Sequence, residues 1–97
     1  MLDKWRSEID EIDHAMIELL HRRFQLSEAI GQYKLTQGFP IQNTLREAEQ
    51  LEKWSSDLGS DSNKPYIINI LKTIVKISRK RQNDIRKGES TYENSIL

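Results

Sequence analysis

Residues 2–36 keep helical periodicity without a proline and with a single glycine, Gly31, so the spacing predicts one unbroken helix ending before Gly38 and Pro40. At 1.5 Å per residue such a helix is roughly 50 Å long, whereas a compact domain near this size has a radius of gyration of only ~13 Å. One end must therefore project beyond its own globule. A projecting apolar face is unfavourable in water, and a second copy whose long helix packs against the first removes it. An intertwined homodimer is the expected assembly.

The apolar face of this helix is not uniformly apolar. With side chains spaced about 100° apart and Met16 set at zero, Trp5, Ile9, Ile12, Leu20 and Ile30 fall within roughly 40° of it, and Leu19 lies slightly further out. On the same line Arg23 lies at about −20°, Ser27 at about +20° and Lys34 at about 0°. Two fixed charges and a hydroxyl thus occupy positions that burial would normally reserve for aliphatic groups. An anionic group is the expected counterpart.

The segment Gln37-Gly38-Phe39-Pro40-Ile41-Gln42 reads as a turn, after which Asn43 or Thr44 can cap a second helix running to about residue 58. A Gly/Ser/Asp/Asn loop at 59–63 precedes a third helix reaching about residue 86, with Ile67, Leu71, Ile74, Val75 and Ile85 on one side. This stripe is interrupted too: with Leu71 at zero, Ser78 falls at about −20° and Gln82 at about +20°. The fold class is all-α, a three-helix protomer with one long N-terminal helix. A helical domain is expected over 1–87, followed by a polar tail, 88–97, expected to be disordered.

Fifteen acidic and fifteen basic residues balance in a chain of 97, which leaves no global field to drive binding to nucleic acid or membrane. No stretch approaches the ~18 apolar residues of a membrane span, and the charged opening has no secretory h-region, so the cytoplasm is the expected compartment. Zero cysteines remove disulfides and thiolate metal sites, and His14 and His21 would sit about two helical turns apart, so neither metal nor cofactor is expected.

The inward-facing exceptions are Arg23, Ser27 and Lys34 on the first helix and Ser78 and Gln82 on the third, joined by Arg46 and Glu47 opening the second. Arg6 stands on the flank at about +80°. The set holds cations and hydrogen-bond donors but no nucleophile with a partnered base and no phosphate-cradling glycine loop. It suits holding a small polyanion. Plainer readings stand beside this one. Arg23 and Lys34 could lay their stems on apolar surface with the heads in water, and Arg6 could pair with Asp10 one turn on. Glu47 fits a capping box with Thr44, while Asn43 is itself a favoured cap. Ser78 and Gln82 could simply fix helix register. Leu19, Leu20, Leu71, Ile74 and Val75 are expected in the core, and the basic run at 76–81 on a solvated face.

The run Arg6-Ser7-Glu8-Ile9-Asp10-Glu11-Ile12-Asp13, the pair Leu19-Leu20 followed by Arg22-Arg23, then Ile30-Gly31-Gln32-Tyr33-Lys34, Pro40-Ile41 and Leu45-Arg46-Glu47-Ala48-Glu49 together resemble the all-helical class of chorismate mutase. The resemblance extends over residues 2–85. It implies an interlocked dimer with two active sites and the intramolecular rearrangement of chorismate to prephenate, toward phenylalanine and tyrosine. It further implies that Arg23 binds a substrate carboxylate within its own chain and that Arg6 is supplied by the partner chain. Lys34 would reach a carboxylate and the ether oxygen, Gln82 the other side of that oxygen, Glu47 the ring hydroxyl and Ser78 the ring carboxylate. Arg46 would be a supporting cation. Asn43 departs from the aspartate of the best-known members. Two rivals share the fold, an isochorismate pyruvate lyase and an aminodeoxychorismate mutase; the Arg46-Glu47 pair disfavours the lyase. A third, of another class, is a non-catalytic helical dimerisation or nucleic-acid-binding module using Lys76, Arg79, Lys80 and Arg81.

Overall fold

The computed structural model describes residues 1–88, which form three helices: α1 (Leu2–Gln37), α2 (Thr44–Leu58) and α3 (Lys64–Arg86). There is no strand among the described residues. The tail expected at 88–97 lies, apart from Gly88, outside them.

Local chemistry fixes each helix end. α1 stops at Gly38, whose φ of 73° is the left-handed conformation that a Cβ disfavours. Gly38 N–H donates to the Leu35 carbonyl at 3.3 Å and Phe39 N–H to the Lys34 carbonyl at 2.8 Å, closing the terminus, and Pro40 cannot extend it. α2 is capped by Asn43, whose side-chain oxygen accepts from Arg46 N–H at 3.0 Å. Thr44 is already helical, so the capping-box pairing of Thr44 with Glu47 is not the one used. α3 opens on Lys64 and Pro65, where the missing N–H of proline is one the helix would not have bonded.

α3 packs against both other helices. Side-chain pairs Arg23–Ser78, Ser27–Gln82 and Glu28–Arg81 climb both helices together, so the second half of α1 runs parallel to the second half of α3. α2 returns antiparallel along α3: Glu47, near its start, meets Arg79, and Ser55, near its end, shares a hollow with Ile68.

The first half of α1 meets nothing in its own chain. Residues 1–19 are all exposed, and the molecule measures 52 × 38 × 16 Å with a radius of gyration of 16.7 Å. The projecting helix expected from the sequence is present. The core expected from it is not: Leu19 is 61% exposed, Leu20, Leu71, Ile74 and Val75 are half-buried, and Ile41 is the one buried hydrophobic side chain among the described residues. Three helices splayed in this way cannot cover the stripe of α1 from within one chain. No helix among the described residues is long and apolar enough to cross a membrane.

Candidate active site

Apart from Ile41 and Gly31, the buried residues are polar. Ser27 is 9% exposed and Ser78 and Gln82 are each 7% exposed, all at the seam between α1 and α3. Burying such groups without partners would be costly, and each has one. Gln82 Nε2 donates to the Ser27 carbonyl at 2.8 Å and to Ser27 Oγ at 2.9 Å. Arg23 Nη1 donates to Ser78 Oγ at 3.2 Å. Gly31 makes the approach possible, because a Cβ there would stand 2.9 Å from Gln82 Cγ.

These groups form one wall of a cavity of about 380 Å³. Its other walls are the 38–43 loop and the start of α2. The loop is tied down from two sides: Lys34 Nζ donates to the Ile41 carbonyl at 2.7 Å, and Arg86 Nη2 donates to the Phe39 carbonyl. Ile41 is buried and lines the space together with Leu26, Ile30 and Val75.

Of the residues expected at the site, Arg23, Lys34, Asn43, Arg46, Glu47, Ser78 and Gln82 all line this cavity. Arg23 and Lys34 are half-buried and turned inward, so they do not simply lay their heads in bulk water. Both side-chain hydrogens of the Gln82 amide are directed at Ser27, and the Asn43 oxygen is engaged as a helix cap. Arg6 lies elsewhere. Seventeen residues before Arg23 on one helix, it stands roughly 25 Å away along the axis, exposed and without a side-chain partner among the described residues. The possible pairing of Arg6 with Asp10 is not formed.

Three polar lining residues were not expected: Gln42, Gln50 and Arg79. Arg79 Nη1 lies 3.5 Å from Glu47 Oε1, and Gln42 Nε2 donates to Glu47 Oε2 at 3.2 Å. Apart from Lys76, the cations of the basic run are therefore paired. Arg79 pairs with Glu47, Lys80 with Asp84 at 3.7 Å and Arg81 with Glu28 at 2.5 Å. A helical wheel gives one signal for Arg79, its place directly after Ser78, but puts it about 80° off the α3 stripe, where only the position of α2 decides what it meets.

The chemistry of the lining is four cations, one carboxylate and several neutral hydrogen-bonding groups around an apolar floor. A family model described as chorismate mutase type II matches residues 5–83. The chain belongs to the chorismate mutase type II family. Its all-α architecture is that of the family, a family of isomerases, and the match takes in every residue that lines the cavity. Among curated proteins the chain is similar to the T-protein of Enterobacter agglomerans, at 31% identity over 87 residues. That alignment covers 89% of this chain and 23% of the relative, so the chain spans about a quarter of the relative's length. No solved structure matches it.

Proposed function

We propose that this chorismate mutase domain rearranges chorismate to prephenate in a pocket completed by a second copy of the chain. The observation that carries the reading is the convergence of Arg23, Lys34, Ser78 and Gln82 with Glu47 on one cavity. The reaction is an internal rearrangement of a dianion, so it needs no covalent intermediate. What lowers its barrier is a fixed compact conformer and stabilisation of the charge that builds on the breaking ether oxygen. Arg23 holds one carboxylate, with Ser78 beside it for the ring carboxylate. Lys34 serves a carboxylate and the ether oxygen; an ammonium has three donors, and the Ile41 carbonyl uses one. Gln82 serves the other side of the ether oxygen when substrate binding turns one of its amide hydrogens from Ser27 Oγ to that oxygen, the other staying on the Ser27 carbonyl. Glu47 accepts the ring hydroxyl, and Arg46 adds positive potential at the rim. Asn43 contributes through the α2 cap, which sets where Arg46 and Glu47 stand.

Arg6 is too far along α1 to reach this cavity within its own chain. The reading therefore assigns it to the cavity of a partner, across an intertwined homodimer whose seam is the exposed stripe from Trp5 to Leu19. A cytoplasmic location belongs to the same proposal, and neither a nucleic acid nor a membrane is part of it. A Glu47 carboxylate at the cavity favours a mutase acting on a ring hydroxyl over the lyase.

The test is a chorismate assay that follows loss of its ultraviolet absorbance and identifies prephenate as product. Arg23→Ala is expected to lose roughly 3 kcal/mol of transition-state stabilisation, on the order of a hundredfold in kcat/KM. No prephenate from the native chain, or full turnover by Arg23→Ala in a folded protein, overturns the reading.

A further inference from the structure

We propose that Arg79 is a positioning residue of the pocket, pairing with Glu47 so that a carboxylate can stand beside a dianionic substrate and accept its ring hydroxyl. The inference rests on the reading of the cavity as a chorismate site, and deepens it. Glu47 is the one carboxylate on the lining, and an unpaired carboxylate there would repel the ligand that Arg23 and Lys34 attract. It is not unpaired. Arg79 approaches Oε1 at 3.5 Å from α3, and Gln42 donates to Oε2 at 3.2 Å from the loop. Each oxygen retains a lone pair, so the carboxylate can still accept a hydroxyl.

The neighbouring cation does not fill this role. Arg46 precedes Glu47 in α2, and adjacent helical side chains diverge by about 100°. Its guanidinium is exposed and has no partner among the described residues, whereas that of Arg79 has Glu47 alone. The pair is part-exposed, with side chains 31% and 27% accessible, so it adds little to folding stability. Its consequence belongs to binding, where the ligand covers it and water no longer screens the charge.

The experiment is a cycle in the full chain: Arg79→Ala and Arg79→Lys, each in the native and the Glu47→Gln background. Affinity is read as KM where turnover is measurable and as the chorismate Kd by calorimetry where it is not. Arg79→Ala is expected to weaken affinity roughly threefold to tenfold with little change in Tm, Arg79→Lys to recover most of it, and neither to matter once Glu47 is Gln. Unchanged affinity in Arg79→Ala overturns the proposal. So does an equal loss in the Glu47→Gln background, which would mark a direct contact with substrate. A nuclear magnetic resonance arm needs no turnover: the Arg79 guanidinium Nη resonances are expected to shift in Glu47→Gln, and unmoved resonances contradict the pairing. A native chain that pairs Arg79 with Glu47 yet leaves chorismate unchanged would sink the proposed reaction and spare the pairing.

Discussion

Gln82 is held by what its neighbours lack as much as by what they offer. Gly31, in the middle of a helix, destabilises that helix by about 1 kcal/mol relative to alanine. The absent Cβ is what lets Gln82 lie against α1. There its nitrogen faces the Ser27 carbonyl, an oxygen that can only accept. A carboxylate at this position would meet that oxygen lone pair to lone pair, while a protonated carboxyl could still donate. Gln82→Glu is therefore expected to raise the folded-state pKa of the new carboxyl, so that activity is present at low pH and lost as pH rises through that value. The profile of kcat against pH checks this, and a profile like that of the native chain would contradict it. At this scale much was legible from a helical wheel, because Arg23, Ser27, Lys34, Ser78 and Gln82 all fall on stripes that are otherwise aliphatic. Arg79, Gln42 and Gln50 were not, because no periodicity within one helix says what stands across from its flank.

Among the elements, the short connection between α1 and α2 carries more than its length suggests. Its backbone is bonded by Lys34 and Arg86, it contributes Ile41 to the cavity floor, and its last residue caps α2. Asn43→Ala is expected to cost about 1 kcal/mol of stability, seen as an earlier denaturant midpoint, whereas Asn43→Asp keeps a capping oxygen and a favourable charge at the helix N-terminus. If both substitutions left the midpoint unmoved, the cap would have no energetic role. The helix boundaries were readable from glycine, proline and asparagine placement. The choice between Asn43 and Thr44 as cap was not, since both are good caps, and it decided the fate of Glu47. With Asn43 in that role, Glu47 is left to Gln42 and Arg79.

For the whole molecule the controlling fact is the exposed first half of α1, with Trp5, Ile9, Ile12, Met16 and Leu19 uncovered over the same stretch that carries Arg6. If a second copy covers this stretch and delivers Arg6 to its cavity, two inactive variants can complement each other. Arg6→Ala mixed with Arg23→Ala under subunit exchange is expected to regain about one competent site per heterodimer, because both lesions then fall in the same site and the other site is intact. Verified heterodimers without recovered turnover would show that sites are not shared. A face like this also explains why Leu19 is not core in a single chain.

The sequence by itself determined the three helices, their ends and the polar interruptions in their stripes, because these depend on period, capping and backbone geometry within a few residues. It also carried the family resemblance that the match over residues 5–83 bears out. Only the tertiary structure decided that α1 and α3 run parallel at their second halves, that the buried centre is polar, and that Arg79 reaches Glu47. Those outcomes depend on the angle and register between helices, which are set by contacts 30 to 55 positions apart, such as Glu47 with Arg79 and Ser27 with Gln82. A wheel drawn for one helix contains no information about them.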